Sequence, residues 1–592
     1  MAGENGNAAR DREETPLLQD QRREGSNHES EETLTSRGVH DEERVDEDGK
    51  ANQLVGTRRI DNMSISKDLG LIEITASNIS IITTTQSRIA GDLDAFANAN
   101  WFTSTYLIAM SSMSPVTARL AQIFSPRNCI IVASILLAIG GIVTSQAKSL
   151  TTFLIGRAIS GIGGAGILTM SFILVLELSA KKKRGLFIGL VNTGFTSGVS
   201  LGAVIAGALL PVTGWRPLFG VQSPLALIFG VALFFSIPKS FTSGHKNAGE
   251  GSIGAKLARI DYLGAFLLTG TIVSFLFGLS FPKVLWIPIA ISALLLPLFV
   301  FVEVKVASDP IIPVTVLRSR GALFSCVAQL GIMAARWMVL FYTPVFAIAI
   351  RGWSPASAGS ILIPTNLGFA IGGVLVGWLH IKHTGSFWQA SIISYFLFAF
   401  TFLVLSQISN PNTPAPLYLL AVFINGACTG AALNYTLAHM LHLTPPSTHY
   451  ISTSLLATFR GFAGSFGSAI GGGLFVRALK SGLETGFEEH GGLAGREDLV
   501  RRLLGSPALV KTLRGDEKMV AVNSYVGSLQ RLLLSGAGLA LCMVLVQAAA
   551  GWKKGELVKE EQDQALVVSQ VGSGRGVEDD DEDWEEGLEN GV

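Results

Sequence analysis

Apolar residues along this chain come in long unbroken runs, without the alternation or the one-sided stripe that marks a soluble element. Thirteen such runs follow one another, at about 100–122, 128–147, 150–176, 185–210, 217–237, 261–281, 284–304, 321–349, 356–380, 387–407, 416–441, 451–478 and 530–552. A helix of about 20 apolar residues crosses about 30 Å of hydrocarbon, so each run predicts a membrane-spanning helix. The polar segments between them are mostly short, except for the stretch 479–529, which reads as a long loop.

One further segment is weaker. Residues 69–87 read LGLIEITASNISIITTTQS, with Glu73, Asn78 and Gln86 among many threonines. Either neighbouring helices enclose this segment completely, or it has lost part of an originally apolar stretch. With it the count is fourteen helices and both tails share one side. Lys and Arg in the short loops decide which side. One set of loops holds Arg119, Arg127, Lys181 to Arg184, Lys239, Lys246, Lys256, Arg259, Lys305, Arg318, Arg320 and Lys382, whereas the opposite set holds Arg88, Lys148, Arg216, Lys283 and Arg351. The first set, and both tails with it, is expected in the cytosol, and the loop 479–529 on the opposite face.

Composition narrows the class. Of 592 residues, 48% are hydrophobic and only 15% charged. The mean hydropathy is +0.44. A soluble core cannot absorb that much apolar surface in one chain of this length. A formal net charge of zero averages an embedded body with two polar tails, so a nucleic-acid partner is excluded and the bilayer is the expected surrounding. The four cysteines have no CxxC spacing, and no phosphate-binding glycine loop is present, so neither a metal site nor a cofactor is expected. The chain divides into a disordered tail (1–68), a six-helix bundle (69–238), a cytosolic loop (239–260), two inserted helices (261–305), a second six-helix bundle (320–552) and an acidic tail (553–592). The N-terminal tail lacks the apolar core of a signal peptide.

Two glycine ladders carry chemistry-independent information. Gly185, Gly189, Gly194, Gly198, Gly202 and Gly207 recur every four or five residues, close to one helical face. Arg460–Gly473 repeats the device with Gly464, Gly467 and Gly471, again opened by Arg-Gly. Small residues let helices approach closely in lipid, and the duplicated placement predicts two related bundles facing one another. Arg157 stands in the apolar run FLIGRAISGIGGAGIL. A charge at that depth must face protein or a wet path. Asn192, Arg336, Asn366, Asn425, Asn434 and Tyr435 also interrupt apolar runs, either as cavity lining or as interhelical hydrogen bonds. Glu177 with Lys181–Arg184 reads as a cytosolic gate cluster.

These motifs resemble the major facilitator superfamily, and within it the fourteen-helix drug:proton antiporters common in fungi. Arg157 with Gly161 and Gly163 matches an RxxxGxG motif, and the first ladder matches the antiporter motif without its Gly-Pro pair, since Val199 follows Gly198. RIDYLGAFLLTG at 259–270, LFYTPVFAIAIRGWSPASAG at 340–359 and Arg460 are also similar to the family. The resemblance implies an all-α polytopic fold of two six-helix bundles plus two inserted helices. It also implies alternating access and a substrate path through Arg157, Asn78, Glu73, Asn192, Arg336, Asn366, Asn425, Asn434, Tyr435 and Arg460. A cytosolic gate would form from Arg119, Gln122, Arg127, Glu177 and Arg184. Two departures stand out: Gln122 replaces the aspartate of the GxLxDxxGR loop, and Asn78 replaces an aspartate of the first helix. Both remove carboxylates used in proton coupling, leaving Glu73 and Glu177 as the acidic candidates of the first bundle.

The expected function is secondary transport of small organic molecules (drug, toxin or metabolite) out of the cytosol by a monomer, with protons as the implied coupling ion. Alternatives are vacuolar transport of basic amino acids, since the dileucine pattern of the N-terminal tail resembles the tails of fungal vacuolar transporters, and a sensor or defunct copy that no longer transports. Glu13, Leu17 and Leu18 form an acidic dileucine pattern, which leaves vacuole and plasma membrane both open. If the pattern sorts the protein inward, a Leu17→Ala, Leu18→Ala fusion to a fluorescent protein will move to the cell surface; unchanged localisation rejects the motif.

Overall fold

The computed structural model describes residues 67–551, apart from 179–183, 238–260, 282, 308–318, 382–386, 445–448 and 491. The sorting residues Glu13, Leu17 and Leu18, most of the N-terminal tail and the acidic tail lie outside the described residues. Regular structure among the described residues is helical. In order these are 67–92 (α1), Trp101–Phe124 (α2), Pro126–Ser145 (α3), Leu150–Leu178 (α4), Arg184–Thr213 (α5), the short Arg216–Gly220 (α6) and Gln222–Ser236 (α7). Then come Tyr262–Ser280 (α8), Trp286–Lys305 (α9), Arg320–Ala349 (α10), the short Pro355–Gly359 (α11), Leu362–Leu379 (α12), Trp388–Ile408 (α13), Ala415–Leu443 (α14), His449–Glu489 (α15), Glu497–Gly505 (α16) and Gly515–Ala549 (α17). Helix is what hydrocarbon demands, because each segment must pair its own N–H and C=O groups.

Twelve helices among the described residues, counting α6–α7 and α11–α12 each as one, are long and apolar enough to cross a membrane. The two long helices outside that set are α1 and α2. Neighbours enclose α1: Leu71, Ile72, Ala76 and Ile79 are fully buried, and Thr75, Thr83, Thr84 and Thr85 are buried with them. Thr75, Thr83 and Thr85 return their hydroxyl hydrogens to α1 carbonyls, which is how a helix this rich in threonine stays dry.

The long loop expected over 479–529 is largely helical. α15 runs on to Glu489 and α17 begins at Gly515. The reason is packing: Leu479, Leu483 and Phe487 on α15, and Val520, Ala521 and Tyr525 on α17, are buried at helical spacing in one apolar cluster. Only 490–514 connects them, and it contains α16 and a short 3₁₀ turn. Asp68, placed by sequence in the tail, likewise belongs to α1.

The two ladders seat equivalent partners. On α5, a Cβ at Gly198 would lie 2.6 Å from the Glu73 carbonyl oxygen, and one at Gly202 2.6 Å from the Ser77 Cα. Gly194 faces Leu69 in the same register, so α5 rides directly on α1. Gly207 continues the ladder across to Ala356 of α11, in the other half. The surroundings of Gly189 are not among those described. On α15, a Cβ at Gly467 would lie 2.4 Å from the Ala334 carbonyl oxygen; Gly464 faces Trp337, and Gly471 faces Met338. So the ladder helix of each half packs on the first helix of that half, α1 or α10.

α10 buries 89% of its most apolar stretch and α9 only 22%, which places α10 at the centre and α9 on the outside. α8 packs on α9 and rests against both α2 and α15. Asn100 Nδ2 donates to the Ser280 carbonyl at 2.7 Å, and Arg477 Nη1 to the Phe281 carbonyl at 3.0 Å. The α8 end is thus bonded both to the start of α2 and to α15.

A side chain at these contacts forces helices apart. Gly467→Val is expected to cost about 1–3 kcal/mol, read as a lower melting temperature of the detergent-solubilised protein. Gly377→Ala, where a Cβ meets nothing within 4 Å, will leave it unchanged.

Candidate functional site

The first polar centre forms where glycines admit a neighbour. Gly161 lies one turn beyond Arg157 on α4, and a Cβ there would come within 2.3 Å of the Tyr106 carbonyl oxygen on α2. This close approach puts the Phe102 carbonyl, one turn earlier on α2, within 2.9 Å of Arg157 Nε. Gly163 does the same toward α3, at 2.4 Å from Leu137 N. Arg157 is completely buried. Its Nη1 donates to the Asn78 carbonyl at 3.3 Å and also to Asn78 Oδ1. Asn78 Nδ2 donates to Gln222 Oε1 at 2.6 Å, and Gln222 Nε2 to Ser77 Oγ at 2.9 Å. The guanidinium also faces the Tyr106 ring at 4.5 Å. Every one of these partners is neutral, and Nη2 has no partner among the described residues. A mid-membrane arginine costs about 2.5–3.5 kcal/mol on insertion scales, so this network of acceptors and rings is what holds it.

The second centre joins the halves. Arg336 of α10 is 2% exposed, and its Nη2 donates to Asn366 Oδ1 on α12 at 2.8 Å. Asn366 Nδ2 in turn reaches α5, donating to Ser200 Oγ at 2.8 Å and to the Thr196 carbonyl at 3.2 Å. Ser200 Oγ also donates to the Leu362 carbonyl at 3.2 Å. Arg336 and Arg460 both face the Phe369 ring, 4.4 and 5.8 Å from its centroid. Beside them Trp337 stacks on Phe341 at 5.2 Å and meets Phe195 of the other half edge-on at 6.1 Å.

The remaining candidates scatter. Asn425 donates to Thr401 at 2.8 Å, joining α14 to α13. Asn434 bonds back to the Gly430 carbonyl of its own helix, and Tyr435 pairs with His380 at 2.7 Å. None of these three meets either arginine centre. Asn192 is half-buried on α5. Glu73, also half-buried, accepts from Ser197 Oγ at 3.0 Å. Of the gate residues, Arg127 covers the Phe234 ring at 4.1 Å and Arg119 is half-buried on α2. The side chains of Gln122, Glu177 and Arg184 lie outside those described.

Sequence reasoning missed three participants. Gln222 and Ser200 interrupt apolar runs as plainly as Asn192 does. Asp68 was hidden by its position beside a polar tail. It is 5% exposed, accepts from Ser171 Oγ of α4 at 2.6 Å and has no cationic partner among the described residues. Its neighbour Lys67 turns instead to Ser236 at 2.6 Å.

At the end of the bundle where α1 finishes, the halves are tied. Arg501 of α16 bridges to Asp94 at 2.9 Å, and a Cβ at Gly505 would lie 2.4 Å from the Phe96 carbonyl oxygen. The Tyr525 hydroxyl holds α16 to α17 through the Leu503 carbonyl. Beneath this cap lies a cavity of about 50 Å³ between the halves, lined by residues that include Gln86, Asn100, Tyr342, Ser468, Phe475 and Tyr525.

Comparison with known proteins agrees with this arrangement. The chain is 26% identical over 463 residues to "Multidrug resistance protein fnx1" of Schizosaccharomyces pombe, covering 76% of this chain and 85% of that one. It is 26% identical over 470 residues to "Vacuolar basic amino acid transporter 2" of Saccharomyces cerevisiae, covering 75% and 97%. It is 24% identical over 498 residues to "MFS thioclapurine efflux transporter tcpA" of Claviceps purpurea, covering 82% and 89%. In fold it is similar to a bacterial homologue of the human lysosomal transporter Spinster, in an inward-facing and occupied conformation. That match has a TM-score of 0.54 at 13% identity and covers 82% of this chain and 96% of the other. Residues 70–468 match the family model of the Major Facilitator Superfamily, and the chain, a multi-pass membrane protein, belongs to that superfamily.

Proposed function

We propose that this protein moves small organic molecules out of the cytosol by alternating access, with its tails and the basic segment 179–183 on the cytosolic side. The observation that carries the reading is the buried polar seam between the halves, Arg336–Asn366–Ser200 with Thr196. Hydrogen bonds that cross a moving interface can be exchanged for water or cargo, whereas a purely apolar contact gains nothing from either. The Arg501–Asp94 tie and its cap close the non-cytosolic end in this state. Two of the similar proteins are named for drug resistance or efflux, which supports export. A cationic cargo finds no carboxylate touching either arginine centre among the described residues, which weighs against basic amino acids.

Proton exchange is assigned to Asp68, because Asn78 cannot titrate and Asp68 is more deeply buried than Glu73 on the same helix. Asp68 is buried against Ser171 of α4, and opening of the cytosolic end would wet it. Sealed vesicles prepared from cells expressing the protein in known orientation, offered labelled drugs, fungal metabolites and lysine, test the reading. Cargo is expected to leave the cytosolic face only, and to slow when the pH gradient is collapsed. Movement toward the cytosol, or none, rejects it.

Arg157→Ala is expected to remove about tenfold or more of the transport rate, since tenfold corresponds to about 1.4 kcal/mol and two or more hydrogen bonds are lost. Arg157→Lys cannot reach Phe102 and Asn78 together, and should fall between the two. Folding and surface density, followed by a tag, are expected to hold. An alanine variant with the wild-type rate would make Arg157 a purely structural cation.

A further inference from the structure

The two arginines at the seam lack an anion. Arg336 is buried, and only Nη2 is bonded, to Asn366; Nη1 has no partner among the described residues. Arg460 makes no hydrogen bond or ion pair to any described residue, its one recorded contact of this kind being the Phe369 ring. Because both guanidiniums face that one ring, at 4.4 and 5.8 Å, their separation cannot exceed the sum of those distances. Two like charges within that range repel one another where water is scarce. Arg336 also gives up hydration to be there, whereas Arg460 is half-buried. Buried cations in membrane proteins are ordinarily paired with carboxylates or carbonyls. Here no carboxylate meets either one among the described residues.

The surroundings suggest what would complete the pair. Gly464 lies one turn beyond Arg460 on the same face of α15, and a Cβ there would lie 3.3 Å from the Trp337 indole. Phe369 faces both charges, and Trp337, next in sequence to Arg336, stacks on Phe341 and meets Phe195 edge-on, so the two charges sit in an aromatic neighbourhood. Guanidinium groups match a carboxylate through paired, charge-assisted hydrogen bonds, and flat rings accept an apolar body.

We propose that Arg336 and Arg460 receive the carboxylate of an organic acid whose apolar body lies against Phe369 and Trp337. This rests on the transport reading above and names the class of cargo. The geometry also links binding to movement. A carboxylate on Arg336 competes with Asn366 Oδ1 for the same guanidinium, and Asn366 is the residue that bonds across to Ser200 and Thr196.

The test uses full-length protein in lipid nanodiscs with two probes of one shape, benzoate and benzamide, read by thermal stabilisation and by calorimetric titration. Benzoate is expected to bind and benzamide not to. Arg460→Gln is expected to weaken benzoate at least about tenfold, and Arg460→Lys less. Arg460 takes no part in the hydrogen bonds that join helices, so the unliganded variants should melt with the wild type. If either variant melts early, the wild-type benzoate–benzamide comparison still decides. Equal binding of both probes, no benzoate binding, or benzoate binding unchanged in Arg460→Gln overturns the assignment. Vesicle transport separates the two readings. If wild-type vesicles export some cargo and benzoate does not compete, the carboxylate site fails and transport stands. If no cargo moves but benzoate binds through Arg460, the site stands and transport fails.

Discussion

Inside a bilayer no hydrophobic force draws one helix toward another, so everything here depends on how near two backbones can come. Glycine sets that distance at the places that matter. Gly198 and Gly202 let α5 lie on α1, Gly467 lets α15 lie on α10, and Gly161 and Gly163 let α4 touch α2 and α3. The polar centres are consequences of these approaches. Phe102 can accept from Arg157 only because Gly161 has already brought α2 against α4.

The charges obey a second rule. Arg157 is surrounded by neutral acceptors and a tyrosine ring. Arg336 and Arg460 are surrounded mostly by rings and one amide. The protein therefore stores positive charge at its centre and keeps its acids elsewhere: Asp68 toward the start of α1, Asp94 at the opposite end of that helix.

Most of the helical frame is visible in the sequence because length and hydropathy are enough to mark a segment that touches lipid. α1 resists that reading for a physical reason: a helix enclosed on all sides answers to its protein neighbours and can carry Glu73, Asn78 and a row of threonines. The helical extensions around 479–529 are also amphipathic against protein, and the spacing Leu479, Leu483, Phe487 was their available signal. Arg157 and Arg336 are legible as charges within apolar runs. Their partners are not, since Asn78, Phe102 and Asn366 lie on other helices and Phe102 contributes only a backbone carbonyl. Asn425, Asn434 and Tyr435 show the same sequence signal as Asn366, yet they bond within the second half. A polar residue in an apolar run announces a hydrogen bond without saying whether it crosses the seam.

The seating of α8 has mechanical weight. Its last turn and the residue that follows are grasped from two directions, by Asn100 beside α2 and by Arg477 of α15, with Gly473 pressed against the Leu279 carbonyl. If the halves rock as proposed, α2 and α15 would travel apart, and α8 could not follow both. The inserted pair must let go of one grip and ride as cargo of the other half, or else remain taut and set the angle at which rocking stops. Under the proposed alternating access, the two grips on α8 would act as a limiter of the stroke.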